Sequence, residues 1–471
     1  MSEKQRAKRI YISDLLDKVN ESVEVYGWVN SRRDHGKIVF FDLRDSSGLL
    51  QVVITPKNEE VYTLANTLTT EDVIKVSGKV GLRPEANLNK DLKTGKIELA
   101  AEKIEVVGKA KELPIPIEGE GYDIDEAARL HYRYIDLRRA RLQKNLKQRS
   151  ALANQIRSFL TEEKFIEIET PYLSKTTPEG ARDFLVPSRL QKGKFYALAQ
   201  SPQQYKQLLM ISGVDRYFQL SRAFRDEDLR ADRQFEHTQV DIEMAFVERE
   251  DVLGLIEKMM TEIAEASGKK ITQKPFPRYS FKEAQKKFGA DKFDERKNKE
   301  DKEELSFAFV IDFPLFEYNE EEKRWTFSHN PFTAPNPEDL EKLTKEKEID
   351  KIGSLQYDLV CNGLELASGS IRIHNPETQR QVFKIMGYSE EEIEKDFGHI
   401  LEAYEYGAPV HGGIAIGFDR LSAVFAGEKS IREVVAFPVN SSGVTSVMDA
   451  PGEVSEKTLK DLDLKKIASK E

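Results

Sequence analysis

Cysteine is almost missing from this 471-residue chain: Cys361 stands alone. An intrachain disulfide and a cysteine-rich zinc site are therefore both excluded, and a reducing compartment is the natural setting. No apolar run is long enough to span a bilayer. The basic residues between Lys4 and Arg9 lead into no apolar stretch, so no signal peptide is expected and the cytoplasm is the default location. An excess of positive charge is lacking too. The net charge is −10 and the pI about 5.5, which argues against indiscriminate nucleic-acid binding but leaves room for local basic surfaces. Arg32-Arg33 and the arginine-rich stretch from Arg129 to Arg149 are two such places, although a single exposed charge is usually just solvated. What remains is an ordinary globular composition, 39% hydrophobic, with length for two or three domains.

Five strand-like runs open the chain, at Val23–Asn30, Ile38–Asp42, Leu49–Thr55, Val73–Gly78 and Ile97–Val107, separated by Gly, Asn and Asp turns. They predict a five-stranded barrel of the oligonucleotide-binding type, and a small barrel without RNA fits the same pattern. Adjacent Phe40 and Phe41 must point to opposite faces of their strand, one inward and one outward. Leu113 to Ile117 alternates with proline and stiffens the exit. Further on, Leu152, Ile156, Phe159 and Leu160 give a helix over 146–164 an apolar stripe, and a strand from Phe165 ends at Pro171. The stretch 291–304 is almost wholly charged and reads as a solvated connector without chemistry. Residues 456–471 read as a charged tail.

The most informative stretch runs from Phe224-Arg225-Asp226-Glu227 to Glu243. Tyr217, Gln219, Ser221, Ala223 and Arg225 share one strand face going in. Phe235, His237, Gln239 and Asp241 share a polar face coming out, while Val240, Ile242 and Met244 point to the apolar side. A hairpin of this kind aims an arginine, a flat ring and a carboxylate into one cleft. The guanidinium fork matches two phosphate oxygens, the ring stacks on a base, and the carboxylate holds an ammonium. ATP and an amino acid are the obvious ligands. Much later, Gly412 to Arg420 forms an apolar glycine-bearing strand that runs into a helix with Arg420 in its first turn, an arrangement that favours anions.

With Arg225 in a motif 2 and Arg420 in a motif 3, the chain resembles the class II aminoacyl-tRNA synthetases, and among them the bacterial-type aspartyl-tRNA synthetases. The resemblance runs from Gly27-Trp28 to Asp449. It implies an α+β protein: an N-terminal OB-fold β-barrel, then a class II catalytic domain built on an antiparallel sheet flanked by helices. The expected division is 1–110 for the anticodon-binding barrel, 111–140 for a hinge and 141–471 for the catalytic domain. The short connector near 291–304 replaces the family's usual insertion domain. The helix–strand–proline segment matches motif 1, which implies a homodimer.

The resemblance also assigns roles. Arg225 would hold the α-phosphate of ATP and Arg420 the terminal phosphates, with Glu227, His237, Gln239 and Glu365 completing the nucleotide site. Asp358 and Glu365 would be magnesium ligands. Lys206 and Arg372 would hold the side chain of L-aspartate, Asp241 would screen and orient them, and Glu179, Ser201, Gln203 and His329 would surround the rest. Phe40, Gln51 and Glu98 would read the anticodon of tRNA(Asp), with tRNA(Asn) left open as a second acceptor. Two departures stand out: His237 replaces the usual phenylalanine, and Asn330 a common second histidine. An asparagine-specific synthetase and an RNA-binding relative without activity are the alternatives.

Overall fold

The computed structural model describes residues 9–177 and 180–465 and divides into two units, 1–116 and 117–471. In the first, strands β1 (Ser22–His35), β2 (Ile38–Arg44), β3 (Leu49–Ile54), β4 (Val73–Leu82) and β5 (Ile97–Gly108) close a barrel in the order β1-β2-β3-β5-β4. Strict alternation builds it. Along β2, Val39, Phe41 and Leu43 are buried while Ile38, Phe40, Asp42 and Arg44 face outward, as period-two side chains must. Phe41 is the core ring and Phe40 the outward one. Closure pairs every strand and leaves no edge.

The second unit is organised around an eight-stranded sheet. Its strands are β6 (Ile166–Glu167), β7 (Arg216–Phe224), β8 (Glu236–Ala245), β9 (Arg278–Ser280), β10 (Phe307–Ile311), β11 (Gln356–Cys361), β12 (Leu364–Ile371) and β13 (His411–Gly417). They run in the order β9-β10-β11-β12-β13-β8-β7-β6. The interior pairs are antiparallel, as expected, and the two short edge strands join in parallel. The strand expected from Phe165 to Pro171 shrinks to Ile166–Glu167, because the chain then leaves the sheet and Thr170 hydrogen-bonds the Gln219 side chain instead.

One sheet face is apolar and carries helices. Val240, Ile242 and Met244 of β8 pack there against Leu152, Ile156, Phe159 and Leu160 of the helix Ala140–Glu162, which starts earlier than its apolar stripe suggests. The other face is polar and forms the floor of a cleft. Burial of one face fixes the register, since a one-residue slip would turn every side chain over.

The stretch expected as a hinge belongs instead, from residue 117 onward, to the second unit. Two short helices, Glu126–His131 and Arg133–Asp136, bring Arg129, Arg133 and Arg139 around the fully buried carboxylate of Asp136, at 3.1, 2.8 and 3.2 Å. Arg129 and Arg141 also share Glu433, and Arg133 donates to the carbonyls of Arg432, Val435 and Ala436. These arginines are structural ties rather than a basic RNA surface. Removing one partner of a buried ion cluster strands the others, so Asp136→Ala is expected to cost about 3–5 kcal/mol. The check is a lowered urea midpoint for the second unit.

Candidate active site

The polar cleft encloses about 590 Å³. Its floor is laid out by register: Asp358, Ser368, Ala415 and Asp241 are successive cross-strand partners from β11 to β8. Three strand spacings therefore set the two carboxylates about 14 Å apart. That length suits a ligand with a charged group at each end.

At one end lies a fully buried quartet. The Lys206 ammonium is 3.0 Å from Asp241 and 3.3 Å from Glu243. Arg372 donates from Nε and Nη2 to the two oxygens of Glu243, at 2.9 and 3.3 Å, and from Nη1 to the Ser370 hydroxyl at 2.7 Å. Two cations are matched by two carboxylates. Burial alone would raise the Glu243 pKa, yet Arg372 and Lys206 hold it below the usual value. The sequence reading missed Glu243, although it is the next residue on the Phe235, His237, Gln239, Asp241 face. Its carboxylate lies against β13, where a Cβ on Gly413 would come within 2.2 Å of it and 2.0 Å of the Ile242 carbonyl. Only glycine permits that approach.

Around the quartet, Gln239, expected at the nucleotide, donates its side-chain amide to Asp241 at 2.6 Å. The Ser201 hydroxyl accepts the Gln203 backbone N–H, and the Gln203 side-chain amide donates to Gln207. Gln207 in turn reaches Tyr404 and His411, and His411 Nδ1 faces the Pro409 carbonyl at 2.8 Å. A carbonyl only accepts, so Nδ1 carries the proton and Nε2 receives the Gln207 amide. This relay, also missed, sets the side chain of Gln203. Glu179 lies outside the described residues.

The other end gathers the arginines. Arg225 leaves β7 with Nε on the Gln200 carbonyl at 3.3 Å. Arg420 sits one turn into the helix Phe418–Ala426, held by the Glu365 carbonyl at 3.0 Å and the Asp232 carboxylate at 3.1 Å. Glu227 pairs with Arg233 at 3.1 Å. His237 lines the same space; burial, with Arg225 and Arg420 nearby, pulls its pKa down to about 3, so the ring is neutral.

Asp358 and Glu365 face this space together because of a β-bulge. Asp358 pairs with Ser368 but Val360 pairs with Glu365, so the register slips by one residue between them. Without the slip Glu365 would point to the apolar side; the extra residue re-aims it. Burial and the neighbouring Glu365 push the Asp358 pKa well above the usual carboxylate range. The pair thus resists carrying two negative charges together, a resistance that a bound cation would relieve. No group of three or more metal-ligating side chains occurs among the described residues. Two carboxylates facing a cleft that also holds Arg420 nevertheless fit magnesium, which completes its shell with water and ligand oxygens. Ser368 hydrogen-bonds Asp358, and His329 Nδ1 lies 3.0 Å from the same hydroxyl. Burial, then Arg372 and Lys206, lower the His329 pKa to about 3.

The connector read as solvated is anchored here. Phe293 is buried and stacks on Phe288 at 3.9 Å, Asp294 chelates Arg296, and Lys292 reaches into the cleft to lie 2.7 Å from Glu365. Charge density along 291–304 concealed that one aromatic anchor.

In the barrel, Gln51 donates to Glu98 at 2.9 Å across β3 and β5, and Phe40 lies on the same outer face with His35 edge-on at 6.3 Å. The three expected RNA-reading side chains are brought together.

Comparison with known proteins decides the family. Residues 125–441 match tRNA synthetases class II (D, K and N), and residues 23–107 match the OB-fold nucleic acid binding domain. The chain belongs to the class II tRNA synthetases. It is 40% identical to proteins named aspartate–tRNA(Asp/Asn) ligase from Caldanaerobacter subterraneus, covering 95% of this chain and 96% of that one, and from Syntrophomonas wolfei, covering 95% and 97%. Those alignments run over 571 positions, more than the 471 residues present here, so the relatives of this synthetase carry residues it lacks. Its fold matches the asparaginyl-tRNA synthetase of Pyrococcus horikoshii complexed with asparaginyl-adenylate (TM-score 0.74, 22% identity, 92% of this chain and 98% of that one). A putative aspartyl-tRNA synthetase from Leishmania major matches with TM-score 0.73 at 20% identity, over 93% and 95%. ATP is a substrate of this enzyme family, with an amino acid and tRNA.

Both cleft histidines titrate far below 6.5, so each contributes stability at neutral pH that is lost as pH falls from about 6.5 towards 3, where only the unfolded chain takes up the proton. NMR of labelled imidazoles is expected to show His237 and His329 still neutral at about pH 5.5, while an exposed histidine is largely protonated.

Proposed function

We propose that this synthetase is an aspartate–tRNA ligase that activates L-aspartate with ATP and transfers it to tRNA(Asp), with tRNA(Asn) as a second acceptor. The carrying observation is the cleft itself, with Lys206 and Arg372 at one end and Arg225 and Arg420 at the other. In the first step a carboxylate oxygen of aspartate attacks the α-phosphorus, and the bond to the β-phosphate oxygen breaks to release pyrophosphate. Both reactants are anions. Fixed guanidinium groups lower their repulsion and hold them in line, and no protein nucleophile is needed. Arg225 would bind the α-phosphate, Arg420 the terminal phosphates, and His237 would stack on adenine with Glu227 beside it. Asp358 and Glu365 would hold magnesium, which supplies further neutralisation of the phosphates. In the second step a hydroxyl of the tRNA 3′ terminus attacks the activated carbonyl and AMP leaves.

Selectivity for aspartate does not need a net positive pocket, since the quartet is balanced. It follows from donors. Lys206 and Arg372 present only N–H groups, so a carboxylate is satisfied while the NH₂ of asparagine would face donors with no acceptor. The names of the curated relatives support both tRNAs as acceptors. Phe40 offers a stacking surface and the Gln51–Glu98 pair a hydrogen-bonding edge for an unstacked anticodon base.

ATP–pyrophosphate exchange is expected to favour aspartate over asparagine by at least about a hundredfold. Arg225→Ala and Arg420→Ala should each lower it by about a hundredfold or more. Equal exchange with asparagine would overturn the aspartate assignment, and unchanged turnover in the arginine variants would overturn the phosphate roles. Charging of both tRNA transcripts with labelled aspartate reads acceptor choice directly.

Exposed Ile166, Leu173, Leu185 and Phe195, on and beside the motif 1 segment, support a homodimer. Sedimentation velocity of the full chain is expected to give twice the chain mass, and a monomer at micromolar concentration would contradict it. No helix among the described residues is long and apolar enough to cross a membrane. The translation reaction supports a cytoplasmic enzyme.

A further inference from the structure

Lys292 comes from the connector, the one segment expected to be without chemistry, and yet its ammonium enters the nucleotide end of the cleft. Its position is not that of a wandering surface lysine. The next residue, Phe293, is buried in a cluster with Ala284, Ala308 and Val310 and stacks face to face on Phe288. The Phe293 carbonyl accepts the Gly363 amide at 2.9 Å, from the turn that precedes Glu365. Beyond it, Arg296 grips Asp294 with two nitrogens and donates to the Asp301 carbonyl at 2.7 Å. The connector is thereby fastened to the strand pair that carries Asp358 and Glu365, and the 2.7 Å ion pair between Lys292 and Glu365 follows from that attachment.

The surroundings define what this ammonium can do. Asp358 and Glu365 are two carboxylates on one face, with Arg420 held 3.0 Å from the Glu365 backbone. Without a neutralising cation, these carboxylates would repel an incoming triphosphate. The Lys292 side chain remains 45% exposed, on a long flexible stem, so it can turn from one anion to another a few ångström away. Arg420 cannot, because Asp232 and two carbonyls hold its guanidinium.

We propose that Lys292 is a positioning residue of the nucleotide site: it neutralises Glu365 while no metal is bound and moves to the terminal phosphates of ATP when a divalent cation takes that carboxylate. The connector that stands in place of an insertion thus supplies a movable charge to the site. The proposal rests on the reading of the cleft as an ATP site.

Two binding measurements on the full chain test it, neither needing turnover. One is Mn²⁺ binding to the nucleotide-free protein by electron paramagnetic resonance; the other is ATP binding in EDTA by calorimetry. Lys292→Ala should bind Mn²⁺ about three- to tenfold more tightly, because the carboxylates lose their internal counter-ion. It should bind metal-free ATP about tenfold more weakly, because carboxylate repulsion is no longer offset. Lys292→Arg should stay close to the wild type on both, which a loss of packing would not explain. If Lys292→Ala matches the wild type within about twofold on either measure, the ion pair is only a surface contact and the proposal falls. If the wild type itself binds no ATP with or without Mg²⁺, the assignment of the cleft falls and this role falls with it.

Discussion

Two carboxylates and two cations buried together at the end of a cleft are the constraint around which the second unit is built. Isolated charges could not be kept there, since removing an ion from water costs several kcal/mol even after relaxation. Each member therefore needs the others. Glu243 joins Lys206 to Arg372, Asp241 completes the coordination of Lys206, and Gln239 fixes Asp241. The result is a rigid set of donors already oriented before a ligand arrives, so little ordering remains to be done on binding.

That cluster dictates backbone choices some distance away. The strand beside Glu243 must be glycine at position 413, because any side chain would meet both the carboxylate and a neighbouring carbonyl. The Tyr357 hydroxyl donates to the Gly413 carbonyl at 3.0 Å, tying β11, and with it Asp358, to the same strand. Positioning of the buried quartet and of the Asp358–Glu365 pair is thus mechanically linked through β13. Ser368 and His329 add a hydrogen-bonded link on the cleft side. The two ends of the site share one floor.

Much of this was legible from residue patterns. Barrel strands emerged from alternation, and the hairpin faces around Arg225 and Asp241 came out with the correct parity because one side of that sheet is continuously apolar. Glu243 lies one step further along the same alternation, but its spacing alone does not show that Lys206 and Arg372 meet it. The hydrogen bond from Gln239 to Asp241 depends on a rotamer that no spacing encodes. Residues 111–140 read as a hinge because their arginines look solvated in sequence; Asp136 lies within that stretch, but Glu433, the other carboxylate they gather around, arrives only when the chain returns some 300 residues later. Lys292 was hidden for the opposite reason, a single useful charge among many idle ones.

The bulge between β11 and β12 has a further consequence. Beyond it, every side chain of β12 is out of phase with the simple inside–outside rhythm counted from the turn at Asn362-Gly363. Trimming that turn by one residue would do more than shorten a loop: it would rotate an acidic group out of the cleft and into oil, while leaving the composition of the strand almost unchanged. The length of a two-residue connection therefore carries as much chemical information as the identity of the acid it delivers.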